Sequence, residues 1–192
     1  AEENRADAAR LDRLFNSLHS HPCFTIGNVH GVALGGGAGL VACCDHVIFE
    51  QDARIALSEG KLGILPAVIG PYVHRRLGSA QTRRLATLAK RIDAEEALRI
   101  GMVDEVCGSV DDFPAATQVV IDEILSTGPA AVAEAKRLVA VFDRWSGSDQ
   151  ELREWTLDKT SEMRGSAEGQ DGLSAFLDGG TPSWYVGADD ED

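Results

Sequence analysis

The sequence predicts an α/β fold at its front, running into an all-helical tail. Two observations carry this. Short β-type runs broken by glycines occupy residues 23–57, and apolar residues recur at three- and four-residue spacing through most of the remaining chain. No internal repeat, low-complexity linker or clean boundary interrupts the chain before about residue 145. That argues for one continuous architecture with a helical extension.

Taken in order, Ala8, Leu11, Leu14, Phe15 and Leu18 mark one face of a helix over residues 1–18, stopped by Pro22. Cys23–Val29 reads as a strand, leading through His30–Leu34 into Gly35-Gly36-Gly37. Ala38–Cys44 is small and apolar all round, which suits a buried helix closed by Asp45. His46–Phe49 and Arg54–Leu57 are two further short strands. Ala67–Leu77 and Thr82–Ala89 have helical spacing and are parted by Gly78. Asp93 and Glu96 form a capping-box pattern for a helix that Gly101 stops. Met102–Val106 alternates as a strand, and 114–126, 129–142, 149–163 and 168–177 read as four helices.

Composition limits what such a chain can do. Among 192 residues, 31 acidic side chains face 18 basic ones, for a formal net charge of −13. Basic residues occur as short pairs such as Arg75-Arg76, Arg83-Arg84 and Lys136-Arg137, so no broad nucleic-acid surface is expected. With 44% hydrophobic residues the chain has a core to build, yet no apolar run approaches a membrane span. Cys23, Cys43, Cys44 and Cys107 lack metal-ligand spacing. Reduced, mostly buried thiols in a cytoplasmic protein are the expectation. The tail Ala188–Asp192 is expected to be a solvated acidic end. The chain opens on Ala1 without Met, which points to a fragment or a processed product. An acidic protein that bound an anion would need local donors opposing its own field, with Lys61, Arg75 and Arg76 the candidates.

Two features invite chemistry. Three consecutive glycines between a strand and a buried helix admit two readings: close backbone packing, or amides of Gly36 and Gly37 at a helix N-terminus that hold an anion or oxyanion. The spacing is neither a dinucleotide fingerprint nor a P-loop. Glu59 closes the apolar strand Ile55–Ser58 and precedes a nearly apolar segment to Pro66. It reads as a surface carboxylate at a strand end, or as one held among apolar groups and able to carry protons near neutral pH. His30 and His46 read as polar residues at strand ends, and Trp145, Trp155 and Trp184 as packing groups of the tail.

The segment Ile26–Leu40 with its three glycines, followed by Cys44-Asp45, resembles the enoyl-CoA hydratase/isomerase (crotonase) superfamily. So do Ala56-Leu57-Ser58-Glu59 with Leu62-Gly63-Ile64 and Pro66, the Asp93–Val106 block, Pro129 to Lys136, and Glu168 to Phe176. Leu65–Val73 is similar to the branch acting on 3-methylglutaconyl-CoA and related branched esters.

The resemblance implies a spiral of ββα turns whose first, N-terminal turns lie outside this chain. A partial spiral core would occupy 1–128 and a helical trimerisation region 129–192, assembled as a homotrimer or a dimer of trimers. It implies an acyl-CoA thioester as substrate, no separate cofactor and no metal. The thioester oxygen would rest on the Gly36 amide and on a second amide from the absent turns. Glu59 would be the acid/base carboxylate, with Leu34, Gly35, Gly37, Gly39 and Pro66 lining the substrate. A second family carboxylate maps to Gly39 and is therefore lacking, and Gly179-Gly180 stand where basic residues often meet the CoA phosphates. Hydration or dehydration of a short branched enoyl-CoA is the expected reaction. A one-glutamate isomerase and a non-catalytic binding subunit are the alternatives.

Overall fold

The computed structural model describes residues 2–185. These fall into two compact units, one made of the chain up to His21 with Thr25–Gln118, the other of Pro22–Phe24 with the chain from Val119 onward. The break lies within a helix, not at the 128/129 turn expected from the sequence.

In the first unit, helix α1 (Glu2–His19) is followed by β1 (Ile26–Val29), β2 (Val32–Leu34) and the short helix α2 (Gly36–Cys43). The pattern then repeats as β3 (His46–Glu50), β4 (Arg54–Ala56), a 3-10 turn (Ser58–Leu62) and α3 (Gly70–Leu88). First strands stack on first strands: β1 pairs in parallel with β3, Ile26 opposite His46 through Val29 opposite Phe49. Second strands do likewise, with Val32 opposite Arg54 and Leu34 opposite Ala56. Each ββα turn therefore lays one strand on each of two sheets, which is the spiral the sequence led us to expect. The two-residue β5 (Ile92–Asp93) adds antiparallel to β4, and after α4 (Ala94–Arg99) strand β6 (Glu105–Cys107) closes the first sheet beside β3.

The core lies between the sheets and the helices. Val47, Phe49 and Ile55 from the strands, with Leu57 just after β4, meet Ala38, Val41 and Cys43 of α2 and Val73 and Leu85 of α3, all essentially inaccessible. Only Phe15 of α1 is fully buried in this core, while Leu11 and Leu14 stay exposed.

Several boundaries differ from the expectation for identifiable reasons. Strand β1 starts at Ile26, not Cys23, because Asp45 holds Thr25 through its amide and hydroxyl, both at 2.8 Å, in a loop. Helix α3 starts at Gly70 because Pro71 fits only the first turn of a helix. Gly78 interrupts α3 with φ 70°, ψ 173°, in keeping with the predicted break. The predicted strand 102–106 shifts to Glu105–Cys107, since Met102 and Val103 are buried in the preceding turn. Asp93 caps α4 as expected, accepting from the Glu96 amide at 2.9 Å, and Gly101 ends that region at φ 79°.

Arg76 pins these pieces together. Its guanidinium donates to the carbonyls of Cys44 (2.9 Å) and Gly101 (3.1 Å) and to the carboxylate of Asp104. Asp104 in turn accepts from the Val47 amide at 2.8 Å.

The helix α5 (Phe113–Leu125) runs into the second unit, which continues with α6 (Pro129–Arg144), α7 (Asp149–Gly165) and α8 (Ala167–Asp178). Glu168 of α8 accepts from the Ala130 and Ala131 amides, both at 2.8 Å, placing a carboxylate on the N-terminus of α6. A side chain at Gly128 would collide with it, coming within 2.9 Å of the Glu168 Cδ. Trp145 and Trp155 pack with centroids 6.2 Å apart, and Trp184 lies on Gly172. Glu134 bridges Lys159 (2.8 Å) and Arg137, and its hydrogen bond to Lys159, more than that to Arg137, holds its carboxyl below the usual range. Phe176 and Leu177 remain four-fifths exposed. The acidic end 188–192 lies outside the described residues.

Candidate active site

The glycine run sits where the sequence suggested, at the passage from β2 into α2. Gly35 is the N-cap, with φ 51° and ψ −113°, a combination that side-chain-bearing L residues avoid. Its amide donates to the Ala56 carbonyl of β4 at 3.0 Å, and its carbonyl accepts from Gly39 at 3.1 Å. The turn is thereby clamped to the next strand. Gly36 and Gly37 form the first turn of α2, where amides have no partner inside the helix and the positive end of the helix dipole lies.

Glu59 comes to the same place from the following ββα turn. It lies in the 3-10 turn Ser58–Leu62 and not on the strand, which ends at Ala56. Its Oε1 is 3.3 Å from the position a Cβ on Gly35 would take, and the Ser58 hydroxyl is 3.6 Å from it. The other oxygen, Oε2, is buried without a hydrogen-bond partner. A carboxylate oxygen held this way lacks the partner that buried polar groups normally have. It is available to a proton or a ligand.

Gly39 is also forced, for another reason. A Cβ there would fall 2.9 Å from the Ile69 Cβ and 3.0 Å from Phe15 Cε1. The space into which a carboxylate at position 39 would project is filled with hydrocarbon. Phe15 was expected on the apolar face of the first helix, but nothing local marks it or Ile69 as a neighbour of the glycine run.

Of the other expected site residues, Leu34 ends β2 and lines a cleft of about 430 Å³ shared with Ala56, Ser58, Lys61, Lys90 and Arg91. Pro66 lies between the 3-10 turn and α3 and is not among the residues lining that cleft. Of the expected anion donors, Arg76 is corrected. Arg75 stacks over Tyr72 at 5.8 Å, and all three guanidinium nitrogens of Arg76 are spent on the bonds described above. Lys90-Arg91 was overlooked, although it is itself a basic pair in the sequence.

The expectation of mostly buried cysteines is corrected: only Cys43 is buried, Cys44 and Cys107 are half-buried, and Cys23 is exposed. Burial, more than the neighbouring Cys44, pushes the Cys43 thiol up to about 12. His46 faces Glu105 at 3.8 Å and His30 is exposed, so neither belongs to the site. Among the described residues no group of three or more His, Cys, Asp or Glu is arranged to hold a metal ion, and no helix is long and apolar enough to cross a membrane.

Residues 2–186 match the family model for enoyl-CoA hydratase/isomerase. The chain belongs to the enoyl-CoA hydratase/isomerase family. An enoyl-CoA hydratase from Shewanella pealeana has the same crotonase fold, with a TM-score of 0.88, 40% identity, and coverage of 95% of this chain and 68% of that one. Pseudomonas aeruginosa AtuE gives a TM-score of 0.91 at 34% identity, covering 96% of this chain and 71% of that one. A Thermus thermophilus relative named, provisionally, an enoyl-CoA hydratase is 29% identical over 139 residues, which is 72% of this chain. The match spans 54% of that relative, so the chain spans about half the length of this curated family member.

Proposed function

We propose that this chain carries the reactive centre of an acyl-CoA lyase that hydrates a short branched enoyl-CoA, such as 3-methylglutaconyl-CoA, or dehydrates the 3-hydroxyacyl-CoA. The observation that carries the reading is the Glu59 carboxylate, set against the Gly35 turn with one oxygen buried and unpartnered. In this reading the thioester oxygen accepts a hydrogen bond from the Gly36 amide, where the α2 dipole favours negative charge. One such donor is worth about 3–4 kcal/mol to a developing oxyanion. Glu59 takes a proton from water as the oxygen adds to the β-carbon, and the charge passes to the thioester oxygen as an enolate. The same carboxyl then returns the proton to the α-carbon, so that water has been added and Glu59 is restored. The CoA thioester itself supplies the activation, and the reading calls on no further cofactor.

Isomerisation is the second reading, favoured by the packing of Ile69 and Phe15 over position 39. A site with one carboxylate can move a double bond by taking a proton at the γ-carbon and delivering it at the α-carbon. We further propose a cytoplasmic homotrimer or dimer of trimers, supported by the exposed Phe176 and Leu177 on α8.

Glu59→Gln tests the assignment. Hydration of 3-methylglutaconyl-CoA by the purified protein should fall by about 10²–10⁴. An unchanged rate removes Glu59 from the mechanism, whereas a native protein without hydration or isomerisation activity leaves the non-catalytic reading in force. Deuterium uptake from heavy water at the γ-carbon, with no water added, would decide for the isomerase.

A further inference from the structure

The cleft beside Glu59 has a character that the chain as a whole does not. The protein carries a net charge of −13, yet Lys61, Lys90 and Arg91 all line this one opening of about 430 Å³. Acidic side chains are abundant, and several other cations of the same unit have found partners. Arg84 pairs with Glu96 at 2.7 Å, and Arg76 is bound to Asp104 and two carbonyls. Among the described residues, Lys61, Lys90 and Arg91 have neither an ion pair nor a hydrogen bond to the protein. Three unpaired cations around one cleft set up a local positive field that opposes the charge of the molecule.

Their origin in the fold is specific. Lys61 is in the 3-10 turn that carries Glu59, while Lys90 and Arg91 come directly after the C-terminus of α3. Ala89 closes that helix in the left-handed conformation, at φ 46°, the only non-glycine residue with positive φ among the described residues. Ala89 itself lines the cleft, together with the Lys90 and Arg91 that follow it.

We propose that Lys61, Lys90 and Arg91 form a subsite for a carboxylate on the acyl group, making this chain selective for dicarboxylic enoyl-CoA esters. The proposal rests on the acyl-CoA reading above and names its substrate class. Position within the fold separates the acyl end from the phosphate end of the thioester. The cleft is walled by Leu34, the residue before Gly35, by Ala56, whose carbonyl holds the Gly35 amide, and by Ser58, the residue before Glu59. It therefore abuts the reactive centre directly. An acyl carboxylate lies only a few bonds from the thioester carbonyl, whereas the CoA phosphates lie beyond the whole pantetheine arm. An anion held here is accordingly one carried by the acyl group. The remaining walls are apolar, Leu34, Ala56 and Leu62, which suits a short hydrocarbon chain ending in a charge.

Equilibrium binding, which needs no turnover, provides the test. Glutaryl-CoA and butyryl-CoA, both lacking the reactive double bond, are titrated calorimetrically into the purified protein and into Lys90→Gln/Arg91→Gln. The native protein should bind glutaryl-CoA about tenfold or more tightly than butyryl-CoA, in line with charge-assisted hydrogen bonding. In the double variant that preference should shrink to about twofold or less, with butyryl-CoA affinity unchanged. The charge-keeping Lys90→Arg variant should retain the preference and guards against a folding defect. Equal weakening of both esters would place CoA phosphates in the cleft and overturn the proposal. So would a native protein with no preference, or one that binds neither ester. A normal preference without any hydration activity would instead count against the catalytic reading and leave the subsite standing.

Discussion

Replacing Gly35 with alanine perturbs the site at its most constrained point, and the structure separates two costs. The first is conformational. At φ 51° and ψ −113° an alanine is strained by about 1–3 kcal/mol. Alanine also restricts the unfolded chain, which offsets about 0.4–1 kcal/mol of that. The second cost is contact: the new methyl would sit 3.3 Å from Glu59 Oε1, 3.5 Å from its Cδ and 3.6 Å from Ser58 Oγ. Only the first is a tight approach, for which the carboxylate oxygen would have to give way by a few tenths of an ångström; the other two are ordinary contacts. The net expectation for Gly35→Ala is a destabilisation of about 1–3 kcal/mol, with a larger proportional loss of turnover because the carboxylate is moved.

Urea unfolding followed by far-ultraviolet circular dichroism is the appropriate assay, since Trp145, Trp155 and Trp184 all belong to the helical unit and would not report on this one. Repeating Gly35→Ala in a Glu59→Ala background resolves the two costs. The contact part should vanish with the carboxylate and the backbone part should persist. A Gly35→Ala protein within about 0.5 kcal/mol of native stability would refute the conformational argument outright. If the entire cost disappeared in the Glu59→Ala background, the backbone strain would likewise be refuted.

Groups outside the site give two more expected outcomes. Arg76→Met keeps the aliphatic stem but strands the Cys44 and Gly101 carbonyls and removes the Asp104 partner. It should cost about 2–4 kcal/mol, or several degrees in Tm, and a Tm equal to the native value would contradict the pinning role. Cys43, with its thiol pushed up to about 12 by burial, should resist iodoacetamide at pH 8 while the exposed Cys23 is alkylated. The folded state keeps a proton that the unfolded thiol releases near 9, so its contribution to stability is complete below that pH and lost as pH rises toward 12. Cys43→Ala should flatten that alkaline part of the stability curve, and an unaltered slope would exclude Cys43 as its source.

How much of this was legible in the sequence depended on how far apart the interacting residues lie. The glycine turn, the helix after it, the Asp93 cap and the Gly78 break are local, and composition announces them. The 3-10 turn that carries Glu59 reads as a strand end from sequence, because Ser58-Glu59-Gly60 has no periodicity to distinguish the two. Strand β1 begins late because Asp45 reaches back to Thr25, and β5 is too short to leave any pattern. At position 39 the family resemblance implies that a second carboxylate is lacking, and the sequence itself shows only a glycine. It could not tell us that Ile69, thirty residues on, occupies the space.

That last contact changes what the absence means. A glycine in open space could be exchanged for glutamate without altering anything around it, and the lack of a second carboxylate would be incidental. Here Ile69 and Phe15, at 3% and 1% exposure, are core residues joining α2 to α3 and α1. A side chain at 39 would have to displace both, at the cost typical of overpacking a closed core, about 1–3 kcal/mol. The lack of a side chain at position 39 is therefore built into the packing of the unit. The charge distribution obeys the same logic. Arg76 and Arg84 are committed to holding the fold, so on the proposed reading, in which an acidic chain receives an anion, other cations have to stay uncommitted beside the site. Lys61, Lys90 and Arg91 are the ones left in that condition, one from the turn that bears Glu59 and two from the helix end behind it.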